Sequence, residues 1–351
     1  MKVLFVGDLR LESGGPKSVM STLKEKFDQT EKIKLLLRDT RSKTNIKYDL
    51  SDVDVIHFHE IWNFRIIKLI SLAEKNGIPY LFTFHGVLNS WSLKRHKFLK
   101  LIFLTFFKKK LFLNASAFHF LNKNEYNEAS LLGFDLKNKS FILPNGIEIM
   151  NDKEEDNPRV KRGLKLIYIG RFHPKKGLIN LIDTFKIVKK NQNSIYLDII
   201  GPDSNYKKIL KREILNNSLQ NYITLKEPIY EFEKKRNEII QSDFFILPSF
   251  DEADSMAIKE SLSAGTPVII TKECKFYDVE ENKIGFHINH NSKEIYEILM
   301  KIMKIKNIKE EYKKSCINFS KENFEINKLA NKYFENLSEM AAGVKYSDNW
   351  Q

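Results

Sequence analysis

Two acidic side chains, Glu252 and Glu260, stand eight residues apart in Pro248-Ser249-Phe250-Asp251-Glu252-Ala253-Asp254-Ser255-Met256-Ala257-Ile258-Lys259-Glu260, which continues Ser261-Leu262-Ser263-Ala264-Gly265-Thr266-Pro267-Val268. The run reads as a strand, loop, helix, turn and strand, with Glu252 in the loop and Glu260 about two turns into the helix. Both carboxylates can then face one elongated polar ligand. Such a pair by itself is ordinary on a surface helix, and the cassette around it is what favours a ligand. In Gly170-Arg171-Phe172-His173-Pro174-Lys175-Lys176-Gly177, Arg171 and Lys176 lie at the two ends of one loop after a strand. There a forked guanidinium and a point ammonium can share a diphosphate. His85, in Thr83-Phe84-His85-Gly86 at the end of an apolar run, can donate to or accept from a ligand hydroxyl. From position alone it fits a satisfied strand-end histidine equally well. The loop Gly7 to Pro16 holds Gly14 and Gly15, which let backbone approach a phosphate where a helix opens near Lys17. Alone it is better read as a plain Gly-Pro turn, and without G-x-G-x-x-G it does not point to a dinucleotide.

The elements that position these loops are short apolar runs alternating with helical patterns, the signature of βα units and a parallel sheet. Strands are expected at Lys2–Val6, Val53–His57, Tyr80–Phe84, Ala117–Phe120 and Phe141–Leu143. The charged stretch from Ile149 to Arg159 reads as a linker. A second series follows at Leu164–Ile169, Tyr196–Ile200, Tyr222–Leu225, Phe244–Leu247 and Val268–Thr271. The tail from about Ser292 to Met340 reads as helix that needs an apolar surface to cover. The expected fold is α/β, with two Rossmann-like domains facing across a cleft into which the strand C-termini deliver their loops.

Length and composition agree. A chain of 351 residues suits two domains, and 42% hydrophobic with 29% charged residues is an ordinary globular balance. Cys274 and Cys316 are too few and too far apart for a disulfide framework or zinc site, which fits a reducing cytosol. Met1 to Gly7 is too short for a signal segment, and no run approaches a spanning helix. His57 and His59 share one strand face, as metal ligands can, but no carboxylate or cysteine set completes a site. The net charge of +13 calls for an anionic partner: nucleic acid, membrane surface or small substrate. With no nucleic-acid reading element, a non-catalytic or nucleic-acid-binding basic α/β protein is the rival reading. Strong salt-dependent binding to any duplex would favour that rival.

The C-terminal half resembles glycosyltransferase family 4, whose hallmark P-S-x-x-E-(x7)-E-(x4)-G-x-P-V is matched by Pro248, Ser249, Glu252, Glu260, Gly265, Pro267 and Val268. The G-R-(x4)-K-G loop at Gly170 to Gly177, the Pro144-Asn145-Gly146 turn, Thr83 to Gly86 and the N-terminal Gly-Gly-Pro fall in the family's order, over roughly residues 1 to 335. Ala253-Asp254-Ser255 departs from the Gly-Phe or Gly-Leu-Pro common after the first glutamate, and Ser261 stands where alanine is common. These departures bear on the donor sugar.

The resemblance implies a GT-B fold. Its acceptor-binding domain would cover 1–150, with a helix at about 325–345 packing back on it, and its nucleotide-sugar domain would cover 160–322. It implies a retaining hexosyltransferase, independent of metal and cofactors. The enzyme would move a sugar from a nucleotide-sugar, UDP-sugar first, to a lipid-linked, polyprenyl-linked or cell-surface glycan in capsule, O-antigen or related polysaccharide synthesis. Carried over, Arg171 and Lys176 hold the donor diphosphate, Glu260 the ribose and Glu252 the sugar hydroxyls. Gly14 and Gly15 bring backbone N–H groups to the phosphates, and His85 contacts the sugar near the reacting centre, His85 and Glu252 being the catalytic pair. No Asp-x-Asp sits in a suitable loop, since Asp52-Val53-Asp54 opens a strand.

From Trp91 to Phe112 cations flank an apolar centre. If the segment is one helix, Leu99, Phe103, Phe106, Phe107 and Leu111 line an apolar stripe, and Lys94, Arg95, Lys97, Lys100, Lys108, Lys109 and Lys110 supply contacts to anionic lipid. That places the protein in the cytoplasm, peripheral on the inner face of the cytoplasmic membrane, with no nucleic-acid partner. An ordinary core helix with solvated lysines is the alternative.

Overall fold

The computed structural model describes residues 1–9, 15–30, 32–41, 50–94, 97–149, 163–305 and 307–343. The linker stretch from Asn151 and the residues Gly14, Arg95 and His96 lie outside them. The chain divides into two compact units, Met1–Gly146 with the helix that begins at Ile326, and Ile147–Glu325.

Unit 1 runs β1 (Lys2–Gly7), α1 (Gly15–Asp28), β2 (Lys34–Asp39), β3 (Val55–Phe58), α2 (Phe64–Lys75), β4 (Tyr80–Thr83), α3 (Ser90–Lys94), α4 (Lys97–Phe112), β5 (Ala117–Phe120), α5 (Lys123–Leu131) and β6 (Ser140–Ile142). Its strands form one parallel sheet in the order β2-β1-β3-β4-β5-β6. β3, β4 and β5 are buried along their whole length, as expected of parallel strands covered on both faces. One face packs Phe58, Phe82, Phe84 and Phe118 with Ile66, Leu69, Phe103 and Phe112. The other packs Val3, Phe5, Leu81 and Phe141 with Met20 of α1 and with Leu329, Tyr333 and Leu337.

Unit 2 runs β7 (Leu164–Ile169), α6 (Leu178–Lys190), β8 (Ile195–Ile200), α7 (Asn205–Asn216), β9 (Ile223–Lys226), α8 (Phe232–Ile240), β10 (Phe244–Leu247), α9 (Met256–Ser263), β11 (Val268–Ile270), β12 (Gly285–His287), α10 (Ser292–Met303) and α11 (Ile308–Phe324). Its sheet, also parallel, is ordered β12-β11-β10-β7-β8-β9. The chain then returns to unit 1 as α12 (Ile326–Ala341), which supplies Leu329, Tyr333 and Leu337 to the core described above.

In each sheet the order reverses at one point, between β1 and β3 and between β7 and β10. Loops leaving the carboxyl ends of strands on either side of such a point diverge and leave a crevice. The Gly170–Gly177 loop and the Glu252 loop leave the two sides of one such point.

The structure corrects the sequence reading at three places. Each sheet has six strands rather than five. The additional ones, β2 and β12, are edge strands of mixed exposure, so they lack the continuous apolar run that marks a central strand. Glu260 is the fifth residue of α9, about one turn in, because the helix does not start until Met256. The segment Trp91–Phe112 is not one helix with one stripe. α3 and α4 are separate elements. Phe103 and Leu111 face the core, whereas Phe106 is 73% and Leu99 64% exposed. Three of the lysines named there also have partners within the protein. Lys108 Nζ donates to the carbonyls of Leu132 and Gly133, Lys100 Nζ to that of Ser92, and Lys110 pairs with Glu74 at 2.7 Å.

Candidate functional site

The loop after β7 closes with a 3₁₀ turn, Pro174–Lys176, and Gly177, which takes φ 69° between that turn and α6. A Cβ there would lie 2.0 Å from the carbonyl oxygen of Pro248. Only glycine allows both the left-handed backbone and this approach. The approach matters because it seats the loop on the one after β10. The Phe250 N–H donates to the carbonyl of Lys175 at 2.8 Å, and Ser249 Oγ lies 3.1 Å from the same carbonyl.

Lys176 and Glu252 meet there. Lys176 Nζ lies 2.6 Å from Glu252 Oε1, and Ser249 Oγ donates to the same oxygen at 2.6 Å. Glu252 is buried. Burial alone would raise its pKa, but the Lys176 charge, hydrogen bonds from Lys176 and Ser249, and the Lys175 charge hold it below the usual carboxylate value. Among the described residues both bonds fall on one oxygen, so Oε2 has lone pairs that can meet a ligand. Next to this pair Lys175 bridges Asp251 at 2.6 Å. Arg171, at the other end of the loop, is exposed, its carbonyl held by the Tyr168 hydroxyl at 2.8 Å.

Glu260 is held by a residue the sequence reading did not single out. Lys235 Nζ of α8 lies 2.6 Å from Glu260 Oε1. Only the fold brings these helices together, and a lysine in a Lys-Lys-Arg run carries no sequence signal. A buried ion pair, Lys259 with Asp254 at 2.6 Å, ties the loop to α9, and Phe324 lies under the ammonium at 4.6 Å. Asp254 is one of the residues that depart from the family pattern, and its carboxylate is committed to Lys259.

In unit 1, His85 leaves β4 with φ 50°, followed by Gly86 at φ 74°. Non-glycine residues adopt such backbone only where the surroundings enforce it. Enforcement comes from buried Glu125, also missed from sequence. Its Oε1 accepts from the Gly86 N–H at 2.6 Å and its Oε2 from the Leu121 N–H at 2.8 Å. The His85 Nε2 faces His59 Nδ1 at 2.8 Å, with the rings stacked. Burial, then electrostatic interaction with His119, pushes His85 down to about 3.

His57 and His59 do share a face, their ring centres 3.9 Å apart, but their nitrogens serve different bonds. His57 Nδ1 meets the Tyr333 hydroxyl and Nε2 meets Thr83 Oγ at 2.7 Å. Thr83 Oγ meets His119 Nδ1 at 2.8 Å, and His119 Nε2 meets the Leu143 carbonyl at 2.7 Å. The carbonyl can only accept, so for neutral rings the protons follow in one order. Nε2–H of His119 donates to Leu143, the Thr83 hydroxyl to His119, Nε2–H of His57 to Thr83, and the Tyr333 hydroxyl to His57. This chain anchors α12 to the sheet. Burial, then His119 and His85, keeps His57 well below the ordinary imidazole value. Among the described residues no three His, Cys, Asp or Glu side chains are grouped to hold a metal ion. Gly15 is the first residue of α1.

Residues 150–322 match the family described as glycosyl transferases group 1. The second half of the chain belongs to that family. Its relatives include a Bacillus subtilis (strain 168) protein named as a teichuronic acid biosynthesis glycosyltransferase, TuaC, 26% identical over 212 residues, 57% of this chain and 48% of that one. The poly(glycerol-phosphate) alpha-glucosyltransferase of the same organism is 29% identical over 160 residues, 44% of this chain and 22% of that one. This chain spans about half or less of the length of the curated relatives it matches. Among solved structures, Anabaena HepE in complex with UDP-glucose superposes with a TM-score of 0.77 at 15% identity, covering 97% of this chain and 100% of that one. The two parallel six-stranded sheets and this likeness identify the fold as GT-B.

Proposed function

We propose that this group 1 protein is a retaining, metal-independent hexosyltransferase, a family 4 enzyme that moves a sugar from UDP-sugar to a glycan acceptor. The observation that carries the proposal is the Lys176–Glu252 pair, joined at 2.6 Å across two post-strand loops at the sheet's reversal point. In this reading Lys176 and Arg171 hold the donor diphosphate, and the N-terminus of α6 adds its partial positive charge. The free Oε2 of Glu252 takes a sugar hydroxyl. Glu260, held through one oxygen by Lys235, offers the other to the ribose, and Gly15 presents its backbone N–H to the phosphates. The bond from the anomeric carbon to the diphosphate oxygen breaks while the acceptor oxygen bonds the same face. The departing phosphate takes the acceptor proton, and His85 hydrogen-bonds the sugar. Fixed cations stabilise the charge that grows on the leaving group. HepE, with UDP-glucose, supports a UDP-sugar donor. The teichuronic acid and poly(glycerol-phosphate) enzymes support a polymeric or lipid-linked envelope glycan as acceptor.

The membrane part of the reading rests on α4. Phe98, Leu99, Ile102 and Phe106 form an outward apolar face, with Phe98 75% exposed, and exposed Lys97 and Lys109 lie on the same helix. Such a face suits an anionic leaflet at the headgroup level, and with it a place on the inner side of the cytoplasmic membrane. Among the described residues no helix is long and apolar enough to cross a membrane.

Thermal shift against a panel of nucleotide-sugars tests the reading. The matching donor at about 100 times its dissociation constant adds about 2.7 kcal/mol of stability, and its consumption with a glycan acceptor follows. No shift and no turnover with any donor would overturn it.

A further inference from the structure

We propose that His59 is a positioning residue that fixes the tautomer of His85, so that His85 meets its ligand as an Nδ1–H donor. The proposal rests on the glycosyltransferase reading only for what that ligand is.

The geometry leaves few choices. His59 Nδ1 and His85 Nε2 are 2.8 Å apart, so one proton lies between them. Both rings are kept neutral, His59 chiefly by burial and then by the repulsion that protonation would meet among the clustered rings of His57, His85 and His119. His59 Nε2 is buried and has no partner among the described residues. If the shared proton belonged to His85, His59 would carry its own on Nε2, a buried N–H bonded to nothing. An unpaired buried N–H is the rarer and more costly defect, whereas a bare ring lone pair is tolerated better. The proton therefore sits on His59 Nδ1, His85 Nε2 accepts it, and the His85 hydrogen is on Nδ1.

His85 Nδ1 has no hydrogen bond among the described residues. The strained backbone at φ 50° and the Glu125 bond to Gly86 hold the ring where it is. A donor-only nitrogen suits a sugar oxygen and rules this histidine out as the base that takes the acceptor proton. His57, its ring centre 3.9 Å from that of His59, is fixed by its own chain and does not compete for the shared proton.

The test is a long-range proton–nitrogen correlation spectrum of the full chain with nitrogen-15 histidine, assigned with His85→Gln. The expected wild-type spectrum shows His85 protonated on Nδ1 and bare on Nε2. In His59→Phe the His85 signals move to a mixture of tautomers. In His59→Asn, whose amide nitrogen replaces Nδ1, the wild-type signature returns. Turnover should follow, with kcat down about tenfold in His59→Phe, KM for the donor within about twofold, and most of the loss recovered in His59→Asn. A wild-type His85 protonated on Nε2, or an unchanged tautomer in His59→Phe, would overturn the proposal. Absence of turnover in the wild type would instead count against the glycosyltransferase reading, while the spectra still decide the tautomer.

Discussion

Replacing Lys176 should damage both stability and activity, and the two losses can be separated. Its side chain is 17% exposed and that of Glu252 10%, so water cannot take over the partnership. In Lys176→Ala, Glu252 keeps the Ser249 bond but loses its largest favourable interaction, leaving a buried carboxylate uncompensated. Removing one partner of such a pair costs about 3 to 5 kcal/mol. In the wild type the Glu252 pKa is depressed, so its stabilising contribution is present above the unfolded carboxylate value and is lost as pH falls through the folded one. In the variant the sign reverses. Burial raises the Glu252 pKa above the unfolded value, and the penalty shrinks as acid protonates it. The difference in stability between wild type and Lys176→Ala should thus be largest near pH 7 and narrow toward pH 4. Lys176→Met with Glu252→Gln, which keeps the volume and removes both charges, should recover much of the loss. Activity should not recover, because the leaving group has lost a fixed cation worth about 3 kcal/mol, or about a hundredfold in kcat. Urea unfolding at several pH values and turnover below the melting transition measure the two effects. Equal stability of Lys176→Ala and wild type at pH 7, or a double variant no more stable than the single, would refute the reasoning.

Glu260→Ala should lower turnover about a hundredfold while lowering stability by only about 1 kcal/mol, since its pair with Lys235 lies nearer solvent; urea unfolding beside kinetics would show it. Activity should survive excess EDTA, because lysine and arginine hold the leaving group; loss restored by magnesium or manganese would count against the proposed mechanism. The protein should cosediment with anionic but not neutral liposomes, and Phe98→Glu with Phe106→Glu should abolish this. Equal binding to both vesicle types, or no effect of the two changes, would mark the α4 face as unconnected with lipid. Changing Lys108 to Lys110 is the poorer test, since Lys108 holds the carbonyls that end α5.

Much of the fold was legible because buried parallel strands must be apolar along their length. β5, β7 and β10 match their expected limits residue for residue. Edge strands β2 and β12 were missed because one side of each faces water, so composition does not set them apart from loops. The loops of the candidate site were legible for a similar reason: glycines, prolines and charged residues at fixed offsets after a strand mark where backbone must turn and where a ligand can be met. Pairing was not legible. Lys235 reaches Glu260 across 25 residues of sequence, Glu125 reaches Gly86 across 39, and Tyr333 reaches His57 across 276. Nothing local distinguishes these side chains from their neighbours, because a hydrogen bond or ion pair depends on where two elements come to rest. The four imidazoles show the division most clearly. Period-two spacing put His57 and His59 on one face, but which nitrogen bonds which partner, and so where each proton resides, was decided only when α12 and the His85 turn closed around them.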